Sequence, residues 1–501
     1  MTLKRLLLAT TAIAFTASAA LADGVLRIGR ESDSKTLDPI RTAENLDIWV
    51  ANNMNAMLVR SDPSATEIIP DLAERWEISE DGRTYTFTLR DAQFSDGDPV
   101  LASDVVFSLL RVRDDPASAW AANYANIESV EATGERTVVV TLTEPSTPFL
   151  ATLSMVMAAI VPEDDVTEKG EAFGSEPVGA GAFRLVEWTR GSELVLEANP
   201  YYWEEDLPKL DGVEWVAVVE DNTRILQVQT GELDAALFMP FNRIPDLQAN
   251  PDIQVHLDPS TRTDHVLINH THPELSKPEL RQALAHATDK QAIVEVATFG
   301  YGTPANSYVP AGTLYYNPDN YTREFDLEKA RALMEEAGLA DGVELELMIQ
   351  AGDRVEEQVA ILLQQQWAEI GVDLSIRKID PSQWYDALVA GEYELGTAYW
   401  TNDMIDTDQK VSFGFAMDSN MNFLTRYDAP ELAELTAAAR VESDPEKRRE
   451  MYHEIQRVGN EDVNVLNLYY SPFRNISRAG VDGFVQNPLG RFLLETVTIE
   501  E

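Results

Sequence analysis

The chain has 501 residues, with 85 acidic against 39 basic side chains, a formal charge of −46 and no cysteine. So acidic a surface repels phosphate backbones and argues against a nucleic-acid partner, and without cysteine there is neither a disulfide framework nor a thiol nucleophile. Apolar residues at 44% and aromatics at 8% exclude global disorder, and the length gives room for about three lobes with sizeable cores.

The chain opens MTLKRLLLATTAIAFTASAALADG: Lys4 and Arg5, an apolar run from Leu6 to Phe15, then small residues ending Ala20-Leu21-Ala22. That is the layout of a cleaved secretory signal peptide over 1–22. Its apolar run is well short of the ~20 residues that span a bilayer, so no membrane insertion is expected. With no cysteine at the cleavage site, no lipid anchor is expected either. Downstream, GVLRIGR (24–30) reads as a strand, and TYTFTLR (84–90) and ERTVVVTLT (135–143) alternate with period two. Ser103 is placed to cap the helix DVVFSLLRVR, and AFRLVEW and SELVLEA form a hairpin across Arg190-Gly191. PELRQALAHATDKQAIVEVATFG reads as helical, closing at Gly300. DLEKARALMEEAG lies between Asp326 and Gly338, and EEQVAILLQQQWAEIG ends at Gly371 and feeds the strand VDLSIRKI. SQWYDALVAG, between Ser382 and Gly391, is a further helix. Val359, Leu362, Leu363, Trp367 and Ile370 recur at helical spacing, which assigns Trp367 to the core. Alternating strands and helices argue for an α/β fold.

Residues 70–111, PDLAERWEISEDGRTYTFTLRDAQFSDGDPVLASDVVFSLLR, resemble the signature block of the periplasmic peptide- and nickel-binding proteins of ABC transporters. Further blocks follow in that family's order: PVGAGAFRLVEWTRGSELVLEANPYYWEEDLPKLDGVEW (177–215), RILQVQTGELDAA (224–236) and PELRQALAHATDKQAIVEVATFGYGTPA (278–305). In the last, His286 and Thr288 depart from the usual wording. The resemblance implies a three-lobed α/β periplasmic binding protein of the type II-like class C, with a hinge between two main lobes. Lobe I would hold 23–70, 178–268 and 470–501, lobe II 71–177, and lobe III 269–469. The crossings would lie near Asn269-His270 and Tyr470-Ser471-Pro472. It implies a monomer, without cofactor, that captures a di- or oligopeptide or similar amine-bearing solute in the periplasm and delivers it to an inner-membrane ABC permease. A nickel-chelate, opine or oligosaccharide receptor on the same scaffold is the alternative.

A secreted hydrolase is the more distant reading, and its chemistry is not visible. No serine sits in a G-x-S-x-G elbow, and HEIQR (453–457) has Arg457 where H-E-x-x-H needs its second histidine. No catalytic residue is assigned. In DHVLINHTH, His270 and His272 would share a strand face, but a polar hinge strand explains them, and no metal site is assigned.

The stretch AYWTNDMIDTDQ (398–409) combines aromatics with acids. A calcium loop lacks its central glycine here, a catalytic pair leaves no local signature, and a solvated turn leaves Tyr399 and Trp400 unexplained. In peptide-binding members of the resembled family, a strand, a Trp, two residues and an Asp follow in order, and that Asp receives the ligand's α-ammonium group. Asp403 after Trp400 matches, with Tyr399 and Asn402 beside it as further contacts. A desolvated ammonium needs such a charge, and Trp400 offers a rigid stacking face. Asp406 and Asp408 are expected to be solvated loop carboxylates, and Thr407 stands where the family has proline. Ser34, in RESDSKTLDP, matches a pocket-loop contact, and Arg354 is the candidate partner for a ligand carboxylate.

Overall fold

The computed structural model describes residues 24–415 and 424–500. The signal segment 1–22 lies outside the described residues. Three sheets organise the chain. The first has seven strands in the order 253–258, 473–478, 235–236, 25–30, 212–217, 193–198 and 183–189. At its centre Val25–Arg30 runs parallel to Gly212–Ala217 and to Ala235–Ala236. The hairpin Phe183–Thr189 and Glu193–Ala198 closes one edge. A four-stranded antiparallel sheet follows the order 73–78, 84–89, 137–142, 127–134. Thr84–Leu89 buries every second residue, as its alternation predicts. The third sheet has six strands in the order 303–304, 465–470, 263–268, 395–400, 343–350 and 372–379.

The first two sheets share one continuous core. Trp49, Trp215 and Phe492 fill its seven-stranded side, and Phe87 and Phe94 its four-stranded side. Gly179 and Gly181 hold the seam between them. A Cβ on Gly179 would lie 2.2 Å from the Met54 carbonyl oxygen, and one on Gly181 2.4 Å from the Met54 carbonyl carbon. The six-stranded sheet has a core of its own, in which Trp367 is fully buried and donates to Thr288 Oγ1 at 3.0 Å.

Three sequence expectations shift. The segment 278–300 is two helices, Pro278–His286 and Lys290–Ala297, because Asp289 accepts from Ala292 N and opens the second. The helix Ala102–Asp114 begins before Ser103. Asp104 reaches back to the Leu101 amide at 2.8 Å and secures that end. The first crossing is at 259–262, not at Asn269-His270. Ile253–Asp258 pairs in the seven-stranded sheet, whereas Thr263–Ile268 pairs with Leu395–Trp400 and Val465–Tyr470. Thr263–Ile268 is buried along its whole length, as a central strand covered on both faces must be. The chain returns through Ser471-Pro472, between Val465–Tyr470 and Phe473–Arg478. Among the described residues, no helix is long and apolar enough to cross a membrane.

Candidate functional site

The crossings are cross-linked by polar groups. Arg262 makes an ion pair with Asp264 at 2.6 Å, Ser471 Oγ donates to Asp264 at 2.8 Å, and Ser260 Oγ donates to the Ser471 carbonyl. Strand Leu395–Trp400 runs toward these crossings beside Thr263–Ile268, with Trp400 opposite Thr263 and Tyr399 opposite Asp264. Successive side chains point to opposite faces. Tyr399 lies under the Arg262 guanidinium, which stands 3.7 Å from the tyrosine ring centre. Trp400 packs against both the shared core and the cluster around Leu388 and Ala398. The strand end is therefore an interface between the two halves of the molecule. Further contacts close that interface: Thr147 N–H donates to the Arg440 carbonyl at 2.9 Å, and Met404 belongs to the shared core.

Past the strand end the backbone turns, and Asn402 N–H donates to Thr261 Oγ1 at 2.9 Å. Asn402 is fully buried, and both its amide oxygen and its amide nitrogen are without a hydrogen-bond partner. A buried amide left unmade costs free energy. Asp403 follows. Its Oδ2 accepts from Gln409 Nε2 at 2.7 Å, and Gln409 Oε1 accepts from Asp403 N–H at 2.8 Å. Among the described residues, no cationic side chain lies within ion-pair distance of this carboxylate. Burial pushes its pKa up to about 6, against the Gln409 hydrogen bond and the more distant Lys410 charge. Lys410, fully buried, donates to the Trp400 carbonyl at 3.0 Å and lies over the Tyr308 ring at 4.6 Å; burial holds its pKa well below the usual lysine range.

Asp406 and Asp408 are not solvated. Arg448 grips Asp406 with two hydrogen bonds of 2.7 and 2.9 Å. Asp408 takes Arg440 at 3.2 Å and the Tyr452 hydroxyl at 3.1 Å. Both arginines come from helices far along the sequence, Pro430–Val441 and Pro445–Asp462. Both acids therefore dock those helices onto the turn.

The other expected contacts divide. Ser34 is buried, with its hydroxyl engaged between Arg30 NH1 at 2.9 Å and the Leu46 carbonyl. Arg354 is exposed at the first position of the helix Arg354–Ala368 and is not in the wall of the void beside Asp403. Two arginines that sequence reading did not single out do face the interface. Arg491 lines that void. Arg474 stacks 4.3 Å above the Phe241 ring and donates through Nε to the Met239 carbonyl at 2.8 Å, with no carboxylate of the described residues at ion-pair distance. Its field reaches Asp353 and Asp264 across the interface. Neither arginine carries a local sequence signal, since each enters from a segment remote from 398–409. His270 and His272 part company: His270 bonds the Asn464 carbonyl, and His272 lies 3.3 Å from Glu394.

The family described as bacterial extracellular solute-binding proteins, family 5 Middle, matches residues 67–422. The chain is 28% identical to the probable D,D-dipeptide-binding periplasmic protein of Escherichia coli, over 94% of this chain and 93% of that one. It is 32% identical to the glutathione-binding protein of Salmonella typhimurium, over 90% and 89%. A periplasmic binding protein of Helicobacter pylori, solved with the peptide STSA, superposes with a TM-score of 0.88 at 25% identity, covering 96% and 99%.

Proposed function

We propose that this chain, which belongs to the family 5 bacterial extracellular solute-binding proteins, takes a ligand with a free amine and seats that amine on Asp403. The observation that carries the reading is the state of that carboxylate. It is half-buried at the interface, with a neutral amide for its side-chain partner and, among the described residues, no cation at ion-pair distance. An ammonium placed there gains a charge-assisted hydrogen bond and relieves an acid that burial has made reluctant to ionise. Asn402 has unused donor and acceptor groups beside it.

Di- and oligopeptides are the ligand class that fits, and the names of the relatives support it: a D,D-dipeptide-binding protein, a glutathione-binding protein and a structure holding STSA. The relatives are periplasmic, and the reading places this chain in the same compartment, exported by its signal peptide. There it hands an unaltered ligand to an inner-membrane ABC permease. Opening would turn on the two crossings, 259–262 and 471–472, a hinge motion that breaks the contact of Thr147 with Arg440.

Titration calorimetry of the purified protein with a dipeptide panel and its N-acetylated counterparts tests this. Binding of free-amine dipeptides, lost on acetylation and lost in Asp403→Ala, is the expected result. Equal binding of acetylated and free forms would sink the assignment.

A further inference from the structure

Gln409 is the third residue of the helix Thr407–Phe415, and it is buried. Both ends of its amide face Asp403. Oε1 accepts from the Asp403 N–H at 2.8 Å and from the Met404 N–H at 3.3 Å, and Nε2 donates to Asp403 Oδ2 at 2.7 Å. Two backbone donors on one oxygen allow the amide a single orientation, because a flipped amide would set N–H against N–H. The start of the helix therefore always aims a donor at the carboxylate. Among the described residues, Asp403 Oδ1 accepts no hydrogen bond from the chain. One carboxylate oxygen is held and the other is not.

The same amide reaches across the interface. Nε2 lies 3.7 Å from Met155 Sδ, and Met155 belongs to the core shared by the first two sheets. A second sulfur contact runs the opposite way, from Thr152 Oγ1 to Met404 Sδ at 3.8 Å. These two contacts flank the Asp403 turn. Other bonds fix where its backbone runs. Thr261 Oγ1 accepts from Asn402 N–H at 2.9 Å and donates at 3.0 Å to the Pro488 carbonyl, in the loop before Arg491. Lys410 holds the Trp400 carbonyl. None of these touches the Asp403 carboxylate; among the described residues, only the Gln409 side chain hydrogen-bonds it.

We propose that Gln409 is a positioning residue of the binding site: seated against Met155 of the opposite half, it fixes the Asp403 rotamer through Oδ2 and so presents Oδ1 to the ligand. This rests on the amine-anchor reading above and adds how the anchor is aimed. The groups around the carboxylate give the role a pH signature. Burial raises the pKa of Asp403, and the Gln409 hydrogen bond and the Lys410 charge oppose that rise. The other titratable neighbours are Tyr124, whose hydroxyl donates to the Thr152 carbonyl at 3.1 Å, and Arg491, in the wall of the same void.

Gln409→Glu separates aiming from scaffolding. Its carboxylate still accepts the Asp403 and Met404 amides, so the turn keeps its support, but the donor facing Asp403 becomes an acceptor. Titration calorimetry of the full chain with L-alanyl-L-alanine, across the acid to neutral range, reads the effect. Affinity at neutral pH should fall about tenfold or more in Gln409→Glu. The pH at which affinity declines should move upward by about one pH unit, as for two carboxyl groups sharing a site. Gln409→Met, which offers neither donor nor acceptor, should move it upward by less. In an Asp403→Asn background Gln409→Met should cost no further affinity. If Gln409→Glu shows no melting transition, Gln409→Met carries the same comparison. An unmoved pH profile, or an equal loss with and without the Asp403 carboxylate, would overturn the proposal and leave the amine anchor standing. If neither alanylalanine nor any other free-amine dipeptide binds the unaltered chain, both fall.

Discussion

Asp403 and Asp406 stand three residues apart in one turn, the first half-buried and the second buried. Asp406 is 5% exposed and gripped by two hydrogen bonds from Arg448. Asp403 has the neutral amide of Gln409 and, among the described residues, no cation at ion-pair distance. The first carboxylate has its charge answered within the chain, so it serves structure. The second, on the proposed reading, is answered by the ligand. The counter-charge separates them more sharply than burial does.

Breaking the structural half should have the largest effect on stability. Asp406→Ala leaves Arg448 buried with an unanswered charge, and losing one partner of such a pair costs about 3–5 kcal/mol. Denaturant titration should show that loss, and Asp406→Leu combined with Arg448→Met should recover much of it. A cost below about 1 kcal/mol would mean that Asp406 is solvated after all, and the contrast would collapse.

The functional half should behave in the opposite way. Asp403→Asn should lower affinity for free-amine ligands by about a hundredfold or more, as removing one member of a buried charged pair does. Its ligand-free melting temperature at neutral pH should hold or rise, because the lost carboxylate was ionised against its surroundings. A large drop in melting temperature would place Asp403 with Asp406 as a structural acid.

The pH dependence sharpens the same point. With its pKa raised to about 6, Asp403 holds a proton more tightly in the folded chain than in the unfolded one. Its contribution to ligand-free stability is therefore full below the ordinary carboxylate range and is lost as pH rises through about 6. Ligand affinity runs the other way, since an ammonium needs the ionised carboxylate. Below about pH 6 affinity should fall, approaching tenfold per unit. Calorimetry at three pH values checks the slope, which should be flat in Asp403→Asn. The same slope in both proteins would assign the effect elsewhere.

Local pattern explains what was legible in the sequence. The hairpin across Arg190-Gly191, the buried face of Trp367 and the Asp326 cap each depend on residues close in the chain, and each is present. So does the strand that ends at Trp400. The misread features depend on distant partners. Asp406 and Asp408 read as solvent-facing because Arg448 and Arg440 lie on later helices. The family resemblance put Thr263–Ile268 in lobe I, yet the strand pairs in the six-stranded sheet, where Arg262 and Ser471 satisfy Asp264. Arg491 gave no signal, since its relation to Asp403 exists only through Thr261.

That link gives the smallest effect and the finest test of the contrast. Asp406 is fixed by charge, whereas the turn before Asp403 is fixed by neutral hydrogen bonds through Thr261. Thr261→Val keeps the shape of the side chain and removes the hydroxyl, leaving Asn402 N–H buried without its acceptor. The backbone bond from Thr261 N–H to the Pro488 carbonyl survives. The stability cost should be about 1–2 kcal/mol, with a few-fold loss of affinity that depends little on salt. If affinity instead holds while stability falls, the turn is positioned by Gln409 alone, and Thr261 braces the crossing without setting the turn.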